Sequence, residues 1–342
     1  MKPRGSRSTV FTRAFKPAAQ RSPQLEVLDL RHFSGAQLAP LLRDEALHWN
    51  ARLQWDYTKS VNLLLEYLDG RILPGFVALY GGKVVGYAFC VYEGVKAVIG
   101  DVYAFGEGEG LANPTCETLL HHMLEMLQVT PGIDRIETQL LMFPFGALAA
   151  PFLARGFRSF PRLFMMCDLN ASPLVSPHQP QPGLADFRLQ PWSAECYDAV
   201  AALIHSAYTG HMDSGINDQY QTVHGAQRFL HNIIRFPGCG TFDTENSWLL
   251  RDPHSLDIVG ALLTSRVRKD VGHITQLCIS PKLRGRGLGL ALLRHCAAEF
   301  AYHGVTGLSL TVTEANATAL ALYESNGFAT LHRFEAMVWD AG

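Results

Sequence analysis

The segment that decides the reading is His273-Ile274-Thr275-Gln276-Leu277-Cys278-Ile279-Ser280, an apolar run closed by Pro281. Three residues on comes Arg284-Gly285-Arg286-Gly287-Leu288-Gly289, and then Leu290, Leu292, Leu293, Cys296, Ala297 and Phe300 at helical spacing. The first run reads as a strand, the last as a helix, and the glycines as the loop that joins them. Glycine lets a backbone approach a ligand closely, and the N–H groups of a first helical turn have no internal acceptor. The loop therefore suits an anion such as a pyrophosphate, with Arg284 and Arg286 adding positive charge. It lacks the Gly-Lys-Ser/Thr ending of a P-loop, and no acidic residue follows on a parallel strand about 20 positions later, as a dinucleotide fold requires.

Downstream, Thr313-Glu314-Ala315-Asn316-Ala317-Thr318-Ala319-Leu320-Ala321-Leu322-Tyr323-Glu324-Ser325-Asn326-Gly327-Phe328 reads as a strand end, a short helix and an exit turn. Asn316 is a good N-cap, Leu320 and Tyr323 share a helical face, and Gly327 suits a left-handed C-terminal position. The two motifs, in this order, resemble the GNAT superfamily of acyl-CoA-dependent N-acyltransferases. Its Gln/Arg-x-x-Gly-x-Gly/Ala signature is met by Arg284, Gly287 and Gly289.

The resemblance implies an α/β protein of the mixed α+β GNAT type, with acetyl-CoA as cosubstrate and no metal. It places the cosubstrate on Arg284, Gly285, Arg286, Gly287, Leu288, Gly289 and Asn316, with the backbone of Leu277, Cys278 and Ile279 along the pantetheine and the thioester. It makes Tyr323 the proton donor to the leaving thiolate; as a bare residue, Tyr323 equally suits a core position with a hydrogen-bonded tip. His273 falls where several family members carry a glutamate that deprotonates the amine, and Gln276 suits the orientation of a water. Acceptor recognition falls to residues 205–222, HSAYTGHMDSGINDQYQT, where Asp213 and Asp218 would hold a cationic amine between Tyr208, His211 and Tyr220.

Outward from these motifs, residues 171–183, ASPLVSPHQPQPG, interrupt the apolar periodicity and read as a linker. The flanks share an order of elements. Val84-Val85-Gly86 parallels Ile258-Val259-Gly260, and Arg155-Gly156-Phe157 parallels Asn326-Gly327-Phe328, at nearly equal offsets. The expected organisation is a basic tail (1–24), a degenerate GNAT-like domain (25–170), the linker (171–183) and a catalytic GNAT domain (184–342), each domain a mixed, mostly antiparallel sheet flanked by helices. In the first half, Glu107 and Glu109 stand where Arg284 and Arg286 stand in the second, and Phe152 replaces Tyr323. Carboxylates there oppose a pyrophosphate, so the first half is expected to supply packing and part of the substrate wall.

Composition bounds the rest. With 342 residues, 48% hydrophobic and 18% charged, and a net charge of -2, the chain has enough apolar material for two cores and no global basic field for nucleic acid or anionic lipid. Seven cysteines, an odd number without a Cys-x-x-Cys pair, point to reduced thiols in a cytoplasm. No apolar run is long enough for a membrane span. The expected activity is acetyl transfer to a primary amine of a small molecule or peptide; the rival is a non-catalytic acyl-CoA-binding sensor.

Overall fold

The computed structural model describes residues 24–106, 114–175 and 184–342. The expectations for the tail through residue 23, for Glu107 and Glu109, and for 176–183 of the linker lie outside the described residues. The first half runs β1 (Leu25–Asp29), α1 (Gly35–Leu53), α2 (Thr58–Asp69), β2 (Gly75–Tyr80), β3 (Lys83–Glu93), β4 (Lys96–Ala104), α3 (Pro114–Val129), β5 (Arg135–Gln139), α4 (Ala149–Leu153) and β6 (Arg158–Asp168). The second half repeats the order with one short strand added. It comprises β7 (Arg188–Pro191), α5 (Tyr197–Tyr208), α6 (Val223–Arg235), β8 (Thr241–Phe242), β9 (Trp248–Arg251), β10 (Ile258–Arg268), β11 (Val271–Ile279), α7 (Leu288–Tyr302), β12 (Gly307–Thr313), α8 (Ala317–Glu324) and β13 (Phe328–Asp340).

Local chemistry sets the helix ends. The Thr222 side chain accepts the Gly225 N–H at the start of α6, Asn316 accepts the Ala319 N–H at the start of α8, and Gly327, at φ 90°, turns the chain out of α8.

The two halves do not keep separate sheets. Among the described residues all thirteen strands form one, in the order β1-β2-β3-β4-β5-β13-β6-β12-β11-β10-β9-β7, with β8 on β10. The last strand of each half fills the place beside the penultimate strand of the other: β13 lies between β5 and β6, and β6 between β13 and β12. Left alone, each half would expose unpaired strand edges, and antiparallel pairing of β6 with β13, from Phe328 opposite Cys167 to Val338 opposite Arg158, removes them.

Side-chain alternation along β6 carries the merger into the cores. Leu163, Met165 and Cys167 pack in the second-half core, whereas Phe164 joins the first-half core together with Val267, Val271 and Phe334. A buried ion cluster adds to it: Lys96 Nζ lies 3.2 Å from Glu137, 3.3 Å from Glu93 and 2.5 Å from Asp218 of the second half.

A fragment of residues 184–342 lacks β6, so β12 and β13 lose their common neighbour and both cores lose apolar side chains. We expect that fragment to be poorly soluble and to melt without a cooperative transition by circular dichroism. A soluble fragment with full-length stability and turnover would contradict the shared sheet.

Candidate active site

The site begins where two strands part. β11 and β12 run parallel and pair only over Val271–Ile274 with Gly307–Leu310. Against β10, Leu263 faces Gln276 while Thr264 faces Ile274, so Thr275 is an extra residue that bends β11. β12 meanwhile continues along β6 through Thr313. Between the diverging strands opens a cleft of about 890 Å³.

The bulge also keeps the side-chain faces in phase. Cys278 packs toward α5 and α6, and Ile274, Leu277 and Ile279 toward α7 and α8. The cleft therefore passes through the sheet and is lined from both of its faces.

At one mouth lies the glycine loop. Gly285 and Gly287 have φ of 76° and 77°, and a Cβ built at either meets nothing within 4 Å. The left-handed backbone favours glycine, and the surrounding space is open to a guest. Gly287 is the N-cap of α7 and offers no side chain to its first-turn N–H groups, so these remain for an external anion. Arg286 is exposed. Arg284 also borders the cleft, but its guanidinium donates to the Ala207 carbonyl at the end of α5, so it ties the loop to that helix. The Cys278 thiol is buried and its pKa pushed up to about 12 by desolvation, which leaves packing as the role of that side chain.

Tyr323 borders the cleft from α8, its ring edge-on to Phe328 at 5.6 Å. Burial, aided by the Asp213 carboxylate, raises its pKa, so the phenol keeps its proton across the physiological range.

The opposite wall is the segment after α5. Tyr208 and Tyr220 stack at 4.2 Å, with His211 edge-on to Tyr208 at 5.1 Å. The Asp213 carboxylate accepts the Thr313 hydroxyl at 2.5 Å and lies 3.7 Å from His211 Nδ1. Asn316 Nδ2 is 3.4 Å from His211 Nε2, and the Tyr220 hydroxyl donates to Gln276 Oε1 at 3.5 Å. Residues from five elements thus meet around one gap.

Comparison with known proteins gives this geometry its family. The model of the acetyltransferase (GNAT) family matches residues 216–328. That segment is a GNAT acetyltransferase domain. The [ribosomal protein bS18]-alanine N-acetyltransferase of Salmonella typhimurium is 39% identical over 79 residues, 22% of this chain and 53% of that protein. The mycothiol acetyltransferase of Beutenbergia cavernae is 40% identical over 91 residues, 25% of this chain and 29% of that protein. The chain thus spans about half the length of the first of these relatives. Among solved structures, a GCN5-related N-acetyltransferase from Sphaerobacter thermophilus superposes with a TM-score of 0.61 at 17% identity, covering 92% of this chain and 95% of that one. A tandem GNAT protein from the clavulanic acid biosynthesis pathway gives 0.56 at 14%, covering 93% and 99%. At these identities the likeness is one of fold. Among the described residues no helix is long and apolar enough to cross a membrane, and no cluster of three or more metal-ligating side chains occurs.

Within the GNAT domain two sequence expectations need correction. His273 is 4% exposed, stacked on Phe164 and tilted against Trp55, with Nδ1 bonded to Ser309 Oγ at 2.9 Å. Desolvation and the nearby Arg162 lower its pKa to about 3, so the ring stays neutral and is a feeble base. Asp218 does not reach the cleft; it closes the ion cluster on Lys96 and accepts its ammonium.

Among the cleft residues that sequence reasoning missed are Thr311 of β12, and Gln139 and Arg162 of the first half. Arg162 donates to Gln139 Oε1 at 3.0 Å and to Thr311 Oγ1 at 3.4 Å. An alternating strand in the first half carries no mark that it will border a site in the second.

The matching place in the first half is closed differently. β4 and β5 pair only from Lys96 to Ile99, and two residues on, where β11 carries Gln276, Asp101 is buried against Glu45. Glu45 also accepts from Trp49 and Tyr87. Burial raises the pKa of both carboxyls, and the Glu45 charge raises that of Asp101 further, so a proton rests on Asp101 and is shared with Glu45. A carboxyl whose folded pKa is raised contributes stability that is full below its unfolded pKa and is lost as pH rises from there through the folded one. We expect thermal stability to fall as pH rises above the ordinary carboxylate range, and Asp101→Asn, which mimics the protonated partner, to flatten that fall. Melting curves between about pH 5 and 9 check this; an unchanged slope removes the shared proton.

Proposed function

We propose that the protein transfers an acetyl group from acetyl-CoA to a primary amine of a small molecule or peptide, by direct attack in a ternary complex. The observation that carries the reading is the cleft through the sheet, with a protonated phenol at one face and an imidazole–carboxylate pair at the other. The residues fit the cosubstrate: open space over Gly285 and Gly287 and the uncapped α7 N-terminus suit a pyrophosphate, and the unpaired edge of β11 at Leu277, Cys278 and Ile279 suits pantetheine amides. Acetyl-CoA supplies a thioester that an amine attacks, with release of a thiolate.

His211, in place of His273, takes the proton from the attacking amine. In the resting ring Nδ1 accepts the Asp213 N–H at 3.2 Å, a bond given up when the ring takes the proton; the Asp213 carboxylate, fixed by Thr313, then steadies the imidazolium and draws a cationic amine toward the gap. Tyr208 and Tyr220 wall the acceptor. Tyr323 gives its proton to the thiolate. In this reading 184–342 is the catalytic domain, 25–170 a degenerate companion that completes its sheet, and the buried thiols at Cys90, Cys167, Cys196, Cys278 and Cys296 fit a reducing cytoplasm.

Release of free thiol from acetyl-CoA across a panel of amines tests the proposal. We expect turnover with at least one primary amine. Tight acetyl-CoA binding without turnover on any amine instead supports a sensor.

A further inference from the structure

We propose that the acceptor carries a carboxylate, and that Arg162, donated by the first half, recognises it together with Gln276. The inference rests on the acceptor side of the cleft assigned above and names the class of molecule that side takes.

Arg162 belongs to β6, opposite Thr313 in register, so its side chain stands on the same face of the sheet as Thr313 and Thr311. That is the face from which Asp213 is held. Among the described residues no carboxylate lies within ion-pair distance of the guanidinium; its partners are the neutral Gln139 and Thr311. Arg162 Nε is buried without an acceptor. So is Gln276 Nε2, on a side chain 4% exposed whose oxygen is turned to Tyr220. The neighbouring Cys278 thiol is a weak acceptor for that amide. Both side chains border the cleft.

Two buried N–H groups without an acceptor, one of them on a charged side chain, call for a guest rich in acceptors and negative. A guanidinium edge of Nε and one Nη is the edge on which a carboxylate binds through both oxygens. Without such a guest, a half-buried cation facing neutral partners and an orphaned amide are costly.

The amine end is set by Asp213. Tyr220 borders the cleft together with Asp213 and Arg162, and its phenol, raised by burial, is raised further by Asp213 and opposed by Arg162, so both charges act on one ring. An acceptor with an amine at Asp213 and a carboxylate at Arg162 matches both, which describes an amino acid or a short peptide with its terminal carboxylate nearby. The arrangement also gives the chemically degenerate half a part in the site: the anion pocket is incomplete without β6.

The test uses the full chain and pairs that differ only in charge: L-amino acids and dipeptides, each against its C-terminal carboxamide. Affinity is read by titration calorimetry with acetyl-CoA absent. We expect at least one free carboxylate to bind about ten- to a hundredfold more tightly than its amide, the worth of hydrogen bonds to a charged group. In Arg162→Ala that ratio should fall toward one, and in Arg162→Lys, which keeps charge but loses the planar fork, to an intermediate value.

If no carboxylate outbinds its amide, or if the ratio survives in Arg162→Ala, the proposal is overturned. Should Arg162→Ala fail to fold, Gln276→Leu, which keeps β6 intact, must lower the ratio; a ratio unchanged there overturns it too. Carboxylate preference without release of thiol from acetyl-CoA would sink the acetyltransferase reading and leave the anion site standing.

Discussion

Gly287→Glu is expected to abolish acetyl-CoA binding, with loss of at least about a hundredfold in affinity. Gly287 has left-handed φ, where a side chain strains the backbone by about 1 to 2 kcal/mol, yet a Cβ there meets no protein atom within 4 Å. Strain alone therefore predicts a mild effect, and Gly287→Ala should show it. The glutamate differs through its charge. At the N-cap of α7 its carboxylate occupies the place of the pyrophosphate and accepts the first-turn N–H groups that the ligand needs. The helix itself is no worse off, since an acidic side chain at its N-terminus is favourable. Folding and binding thus separate: a native melting curve with no calorimetric binding is the expected result. The wild-type chain should titrate with one site. Two sites of equal affinity, or binding retained in Gly287→Glu, would move the cosubstrate elsewhere.

The loop was legible because its chemistry is local. A strand, a run of glycines and a helix start lie within 30 residues, and the same holds for Asn316 to Gly327, where cap, face and exit turn follow from helix geometry. The shared sheet was not legible. The alternation of β6 and β13 marks them as strands but says nothing of which neighbour each will choose, and the pairing of Phe328 with Cys167 is non-local.

Every misjudged residue follows from that exchange. His273 reads as a strand entrance beside Gly272, and only Phe164 and Trp55 of the first half bury it. Asp218 sits in a polar stretch whose residues divide between site and interface, and Lys96 decides its side. Arg162 reaches the cleft for the same reason.

Tyr323→Phe should lower kcat by about a hundredfold with little change in acetyl-CoA affinity, the scale of one acid–base group. Phenylalanine keeps the edge-on contact with Phe328 and the fill of the α7–α8 core, so the fold should tolerate it and the loss should report the proton alone. The two histidines then separate on the other side of the reaction. His211→Ala removes the imidazole beside Asp213 and should flatten the rise of kcat/KM with pH. His273→Ala should leave that profile in place, because a ring whose pKa is lowered to about 3 does not titrate in the working range. Its cost should instead appear in stability, as a cavity between Trp55 and Phe164 and the lost bond between Nδ1 and the Ser309 hydroxyl, which keeps its donation to the Gly272 carbonyl. The reverse pattern, a flattened profile for His273→Ala and an intact one for His211→Ala, would return the base to β11. A Tyr323→Phe enzyme with unchanged kcat, under conditions where chemistry limits the rate, would leave the thiolate to take its proton from solvent and Tyr323 to pack against Phe328.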